Sequence, residues 1–178
     1  MRETPISVPH VPTLSGPQGC GKSTFIGSLL PSQWRLLEQS ANLGHASSKD
    51  DERRLTSSPL VELSELETVI GRVEAGHLKS FLSRPVDKMR LPYDRTITTR
   101  PRGTTFWGTV NDGVYLNDPT GARRFWPLDV VKCNAFHGVD MQQYWAQMLH
   151  LFNQGEPWNL TPDEAKLHAV IAEKHRVE

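Results

Sequence analysis

Gly16-Pro17-Gln18-Gly19-Cys20-Gly21-Lys22-Ser23 meets the phosphate-binding pattern G-x-x-x-x-G-K-[ST] at every fixed position. The chemistry accounts for the spacing. Glycines let the backbone curl until successive N–H groups face inward and cradle phosphate oxygens. The amine of Lys22 would reach the outer phosphates, and the Ser23 hydroxyl would join a Mg²⁺ shell. A helix starting near Lys22 would aim its positive dipole end at the same anion. The residues expected to hold a nucleotide are Gly16, Gln18, Gly19, Cys20, Gly21, Lys22, Ser23 and Thr24, with ATP and Mg²⁺ as cofactors. The plainer alternative is an ordinary glycine turn between a strand and a helix.

Carboxylates come next. Leu60-Val61-Glu62-Leu63 reads as a short buried strand carrying one acid, with Glu65 just beyond it. An acid at the end of a hydrophobic strand downstream of such a loop takes the Walker-B position. One carboxylate there holds the metal shell, with Ser23, and a second polarises the attacking water. Glu62 and Glu65 are the candidates, although the same run also fits a solvated amphipathic helix. Asn111-Asp112 closes a later β-branched and aromatic run. An amide there would contact the outer phosphate or orient water, unless the pair is simply a turn or a cap. Arg123-Arg124 follow the turn Thr120-Gly121-Ala122. Such arginines are ordinary surface residues or, in an ATPase of this type, a finger lent to a neighbouring subunit.

The elements that must position these groups are legible in outline. His10 to Leu14 reads as a strand before the loop, and Thr24 to Leu30 as a helix stopped by Pro31. Trp34 to Leu37 is a short apolar patch, and Asn42 to Ser58 is a polar stretch that reads as a solvated loop. A helix after Glu65 should break at Gly71 and resume from Glu74 to Leu82. Gly103 to Val110 and Phe125 to Leu128 read as strands. Met141, Tyr144, Trp145, Met148, Leu149 and Phe152 recur at helical spacing, with Asp140 as N-cap and Gly155 as the stop; this stripe is expected to pack into the core. Thr161-Pro162-Asp163-Glu164 is a capping box that opens a last helix.

Between them lies Arg84 to Arg102, with Arg84, Lys88, Arg90, Arg95, Arg100, Arg102 and Tyr93 close together. Local basic density beside an aromatic suits a phosphate backbone, and suits a solvated basic loop equally well.

Composition narrows the class. Length 178 is enough for one α/β domain with a proper core, here residues 1–135 as the ATPase part and 136–178 as its C-terminal helical part. Twenty basic and twenty acidic residues cancel, so any basic surface must be local. The two cysteines, Cys20 and Cys133, have no paired spacing, which suits free thiols in a reducing cytoplasm. The seven histidines form no metal-binding pattern, and no apolar run is long enough for a membrane span or a signal peptide. The chain starts almost directly at its first strand, so a domain or fragment of something longer is expected.

Taken together, Gly16 to Ser23, Leu60 to Leu66, Leu78 to Arg84, Asp87 to Tyr93, Gly108 to Asp112 and Thr120 to Trp126 resemble the virulence-associated protein E family. These are P-loop ATPases of phages and mobile elements, related to superfamily 3 helicases and often fused to primase modules. The likeness runs from about Val11 to Asp129. It implies a three-layer α/β domain of the AAA+-like type, with a central, mainly parallel sheet and helices on both faces. It also implies ATP hydrolysis in a homo-oligomeric ring on single-stranded DNA, in the cytoplasm of a bacterium or phage-infected cell, with a primase as a partner and no membrane. Glu62 and Glu65 fall on the Walker-B acids, Asn111 on the sensor, and Arg124 or Arg123 on the finger. Lys79, Arg84, Lys88, Arg90 and Tyr93 fall on a segment whose hairpin grips DNA in the ring channel. One departure is Ala122, which stands where the family usually has Asn. Two rivals remain at this level: a P-loop small-molecule kinase and a non-catalytic nucleotide-binding regulator.

Overall fold

Short apolar runs separated by glycine, proline and polar turns become four parallel strands in the computed structural model, which describes residues 8–31, 55–72, 75–89, 96, 98–111, 113–116 and 122–177. The strands are β1 (Val11–Ser15), β2 (Leu60–Leu63), β5 (Thr105–Val110) and β6 (Phe125–Asp129), in the order β2-β5-β1-β6. The registers run Leu60↔Thr105 to Leu63↔Gly108, Thr13↔Gly108 to Ser15↔Val110, and Val11↔Phe125 to Ser15↔Asp129. All four strands therefore end on the same edge. That edge is where open parallel sheets bind ligands.

Strand alternation sorts the side chains onto two faces. Leu14 and Leu60 face α1 (Lys22–Ser28) and pack with Ile26 and Leu30, with Trp107 alongside. Val11, Val61, Leu63, Phe106 and Val110 face the other way. They pack with Leu66 and Val69 of α2 (Leu66–Arg72) and with Leu78, Phe81 and Leu82 of α3 (Ala75–Leu82). The molecule is thus an α/β fold with a parallel central sheet and helices on both faces. α2 ends at Arg72, one residue past Gly71, and α3 starts at Ala75, one residue past the expected Glu74; the two residues between them lie outside the described residues.

Part of the basic stretch forms an antiparallel pair, β3 (Val86–Met89) with β4 (Thr98–Pro101). Arg102 just beyond β4 is buried. It donates to Asp87 Oδ1 through Nε at 3.0 Å and Nη2 at 2.6 Å, donates to the Phe81 carbonyl, and lies 4.7 Å from the Phe81 ring centroid. Arg100 donates to the Thr56 carbonyl.

Two helices follow β6. α4 (Met141–Gln154) is capped as expected, Asp140 accepting from the amides of Gln142 and Gln143, and ends at Gly155 with φ +86°. Its apolar stripe is not core. Tyr144 and Trp145 are 40% exposed, Leu149 59% and Phe152 38%, while Met141 and Met148 are half-buried. Periodicity identifies an apolar face but not what covers it. The helix is tied to α1 by Trp145 Nε1, which donates to the Leu29 carbonyl at 2.6 Å. α5 (Pro162–Glu173) opens with the complete capping box and places Ala172 in the core. The chain beyond α5 then clamps the loop after β5: the Tyr115 and Leu116 amides donate to the His175 carbonyl, and Val177 N–H donates to the Leu116 carbonyl. Among the described residues, no helix is long and apolar enough to cross a membrane.

Candidate functional site

The loop between β1 and α1 is built by close approach. A Cβ on Gly16 would lie 2.0 Å from the Val130 carbonyl oxygen, so only glycine lets residues 130–133 cross there. Gly21, at φ +92°, is the residue preceding α1, and a Cβ on it would meet the Cys133 carbonyl at 3.0 Å. Gly19 is also left-handed, at φ +78°, with open space around it. Val130 N–H donates to the Ser15 carbonyl at 2.8 Å, Gly16 N–H to the Val110 carbonyl at 3.2 Å, and Cys20 N–H to the Pro17 carbonyl at 3.3 Å.

Lys22 is only 6% exposed. Its ammonium donates to the carbonyls of Gly16 at 2.6 Å and Pro17 at 2.9 Å and to Asn111 Oδ1 at 3.3 Å, and it stands 3.9 Å from Cys20 Sγ. The loop thus wraps its own lysine, and the amide at the end of β5 reaches the same amine because β5 is the neighbour of β1. Ser23 Oγ donates to Glu62 Oε1 at 2.6 Å, and Thr109 Oγ1 donates to that same oxygen at 3.0 Å. Glu62 is 3% exposed, and no ion pair to it forms among the described residues. A buried carboxylate held by two neutral hydroxyls is an expensive arrangement and a natural seat for a hard cation. Hydroxyl and carboxylate oxygens are the donor set Mg²⁺ takes.

Glu65 is separate from this network. It is exposed, sits in the left-handed region at φ +49°, and its carbonyl accepts from the Thr68 and Val69 amides to start α2. For a residue with a side chain that conformation costs roughly 1–2 kcal/mol. Gln18, Ser23 and Thr24 are exposed on the loop and the first turn of α1.

The two arginines stand at the opposite end of the sheet. Ala122–Arg124 form a single 3-10 turn leading into β6, whose first residue pairs with the first of β1. Arg123 is exposed; Arg124 is half-buried, with Nε donating to Ser83 Oγ at 3.0 Å. Of the basic set, Lys79 lies in the last turn of α3, Arg84 lies 5.7 Å from the Phe81 ring centroid, and Lys88 is exposed on β3. Arg90 and Tyr93 lie outside the described residues, as do Trp34 to Leu37, Asn42 to Arg54 and Arg95.

Thr109 joins the site, and residues 130–133 cross over its loop, with no motif to announce either. Thr109 was within reach of sequence reasoning, because it lies two residues before Asn111 and so on the same strand face. Val130 and Cys133 carry no motif; only the pairing of β6 with β1 brings them over the loop.

A family model for the virulence-associated protein E-like domain matches residues 2–177. No curated protein sequence matches the chain. Among solved structures, the A-form apo structure of the NrS-1 C-terminal region (residues 305–718) aligns with 15% identity and a TM-score of 0.49, covering 96% of this chain and 35% of that one. A second A-form apo structure of that region aligns with 15% identity and a TM-score of 0.47, over 96% and 36%. The chain spans about a third of the length of these structures.

Proposed function

The chain belongs to the virulence-associated protein E-like family, and from that membership and the geometry above we propose that it is a P-loop NTPase of phage or mobile-element replication. In this reading it hydrolyses ATP with Mg²⁺, assembled as a ring on single-stranded DNA. The observation that carries the reading is the convergence of Lys22, Ser23, Glu62 and Asn111 at the C-terminal ends of three adjacent parallel strands.

Each residue then has a task. Lys22 exchanges loop carbonyls for the outer phosphate oxygens, and the loop amides turn toward the same anion. Ser23 and Glu62 would hold Mg²⁺, which when bound neutralises charge on the β- and γ-phosphate oxygens. Thr109 keeps the Glu62 carboxylate from rotating away. Asn111, already in contact with Lys22, monitors the outer phosphate. Glu65 is the second carboxylate at this edge, and its strained backbone is of the kind found where side chains are aimed for function; it is assigned the attacking water. Arg124, with Arg123 beside it, serves the nucleotide of the next subunit. The β3–β4 pair supports the hairpin reading, in which Lys79, Arg84, Lys88, Arg90 and Tyr93 are assigned to DNA.

Phosphate release measured across protein concentrations, with and without single-stranded DNA, tests the proposal. Turnover that rises more than linearly with concentration, is stimulated by DNA and is lost in Lys22→Ala supports it. DNA-independent turnover linear in concentration overturns it, as does ATP binding without turnover under every condition.

A further inference from the structure

Cys20 and Cys133 have no motif spacing, yet the fold sets them side by side. Residues 130–133 leave β6 and run across the glycine-rich loop, so that Cys133 N–H donates to the Cys20 carbonyl at 2.8 Å. The Cys133 Cβ lies 3.7 Å from the place a Gly21 Cβ would occupy. Residues that face each other across backbone hydrogen bonds stand ~5.5 Å apart at Cα, inside the ~4.4–6.8 Å separation a disulfide tolerates. Both thiols are free and half-exposed, so a small oxidant reaches them. We propose that Cys20 and Cys133 form an oxidisable dithiol whose disulfide locks the glycine-rich loop in a conformation that binds nucleotide weakly.

Burial and the adjoining Cys20 side chain, which hydrogen-bonds to it, hold the Cys133 thiol above its ordinary value. That keeps Cys133 protonated and slows its direct oxidation. The oxidant is hydrogen peroxide. One thiolate attacks a peroxide oxygen, the O–O bond breaks, and a sulfenic acid and one water result after proton transfer. The second sulfur then attacks the sulfenic sulfur, an S–S bond forms, the S–O bond breaks, and a second water leaves. Two electrons pass from the thiols to the peroxide.

The consequence for nucleotide rests on the function proposed above. Cys20 N–H points at the Pro17 carbonyl in the present loop, and Lys22 is folded onto Gly16 and Pro17. Receiving a phosphate requires both to turn. A bond from Cys20 to the crossing segment opposes that turn, and by linkage a bound nucleotide opposes the bond by the same factor.

The test uses the chain with and without peroxide. Peptides are mapped without reduction and with no nucleotide present, and ATP affinity is then titrated before and after dithiothreitol. The expected results are a Cys20–Cys133 linked peptide, an affinity at least about tenfold weaker when oxidised, full recovery on reduction, and neither effect in Cys133→Ser. Oxidation of the thiols with no linked peptide overturns the proposal. An equal loss of affinity in Cys133→Ser overturns it as well. A chain that forms the link but binds no ATP even when reduced supports the dithiol and refutes the nucleotide reading instead.

Discussion

Mixing Lys22→Ala with the double variant Arg123→Ala/Arg124→Ala asks which nucleotide the arginines serve. β1 and β6 are parallel and in register from Val11↔Phe125 to Ser15↔Asp129. The glycine-rich loop leaves β1 after Ser15, whereas Arg124 stands one residue before β6 begins. The steps from Arg124 to Asp129, at ~3.3 Å each, put Arg124 about 16 Å below the level of the loop. An extended arginine spans roughly 7 Å from Cα to guanidinium, counting covalent bonds of ~1.5 Å. A subunit therefore cannot bring either arginine to its own Lys22; in the proposed ring a head-to-tail neighbour would supply it. Each variant alone should lose turnover, because such a finger is worth ~10³–10⁵ in rate. Random equimolar mixing sets an intact loop against an intact arginine pair at about one quarter of contacts. Phosphate release at fixed total protein should thus rise from background at either end to about a quarter of wild type at equal proportions. A flat line across all proportions, with both variants folded by thermal melting, refutes the geometric argument. Wild-type turnover by the arginine double variant refutes it too.

Three further outcomes follow from single residues. Arg102→Ala strands a buried Asp87 carboxylate and should cost about 3–5 kcal/mol, a fall of roughly 6–20 °C in Tm for a chain of this size; melting within 2 °C of wild type would contradict the packing described. Gly16→Ala drives a methyl into the Val130 carbonyl, so ATP titration should show at least about tenfold weaker binding as the crossing segment is pushed off the loop; unchanged affinity and melting would show that the segment yields freely. The Thr161 backbone and side-chain hydrogen bonds hold the Glu164 carboxyl below its ordinary 4.5. The capping box thus contributes above that range and is lost as pH falls through the folded value. An NMR titration should place Glu164 below 4.5, and Thr161→Ala, which keeps the backbone donor, should raise it only part of the way back.

The four sheet strands were legible because each is a short apolar or β-branched run between turn residues, and the structure moves their limits by only one or two positions. β3 and β4 were not, since Val86-Asp87-Lys88-Met89 and Thr98-Thr99-Arg100-Pro101 are half polar and gain their conformation from pairing with each other. Strand preference of this kind depends on context more than on residue type. The stripe on α4 failed for a related reason. Six apolar residues at helical spacing establish one face, and their exposure depends on neighbours that periodicity does not encode.

Charge density was the weakest guide. Arg100 and Arg102 belong to a stretch whose charge suited a phosphate backbone and a solvated loop equally, and both are spent on the fold, on Thr56, Phe81 and Asp87. The choice between Glu62 and Glu65 shows what would have worked better. Within β2, Glu62 shares a face with Leu60, and Leu60 packs on α1, the helix that carries Ser23. Any acid on that face at that strand end must look toward Ser23. Glu65 lies past the strand, where alternation no longer applies, and its direction is set by a left-handed turn that no residue type announces. Parity within a strand plus strand order in a parallel sheet therefore decides which acid meets the hydroxyl. Parity was readable from the residues, but the order β2-β5-β1-β6 became available only with the fold.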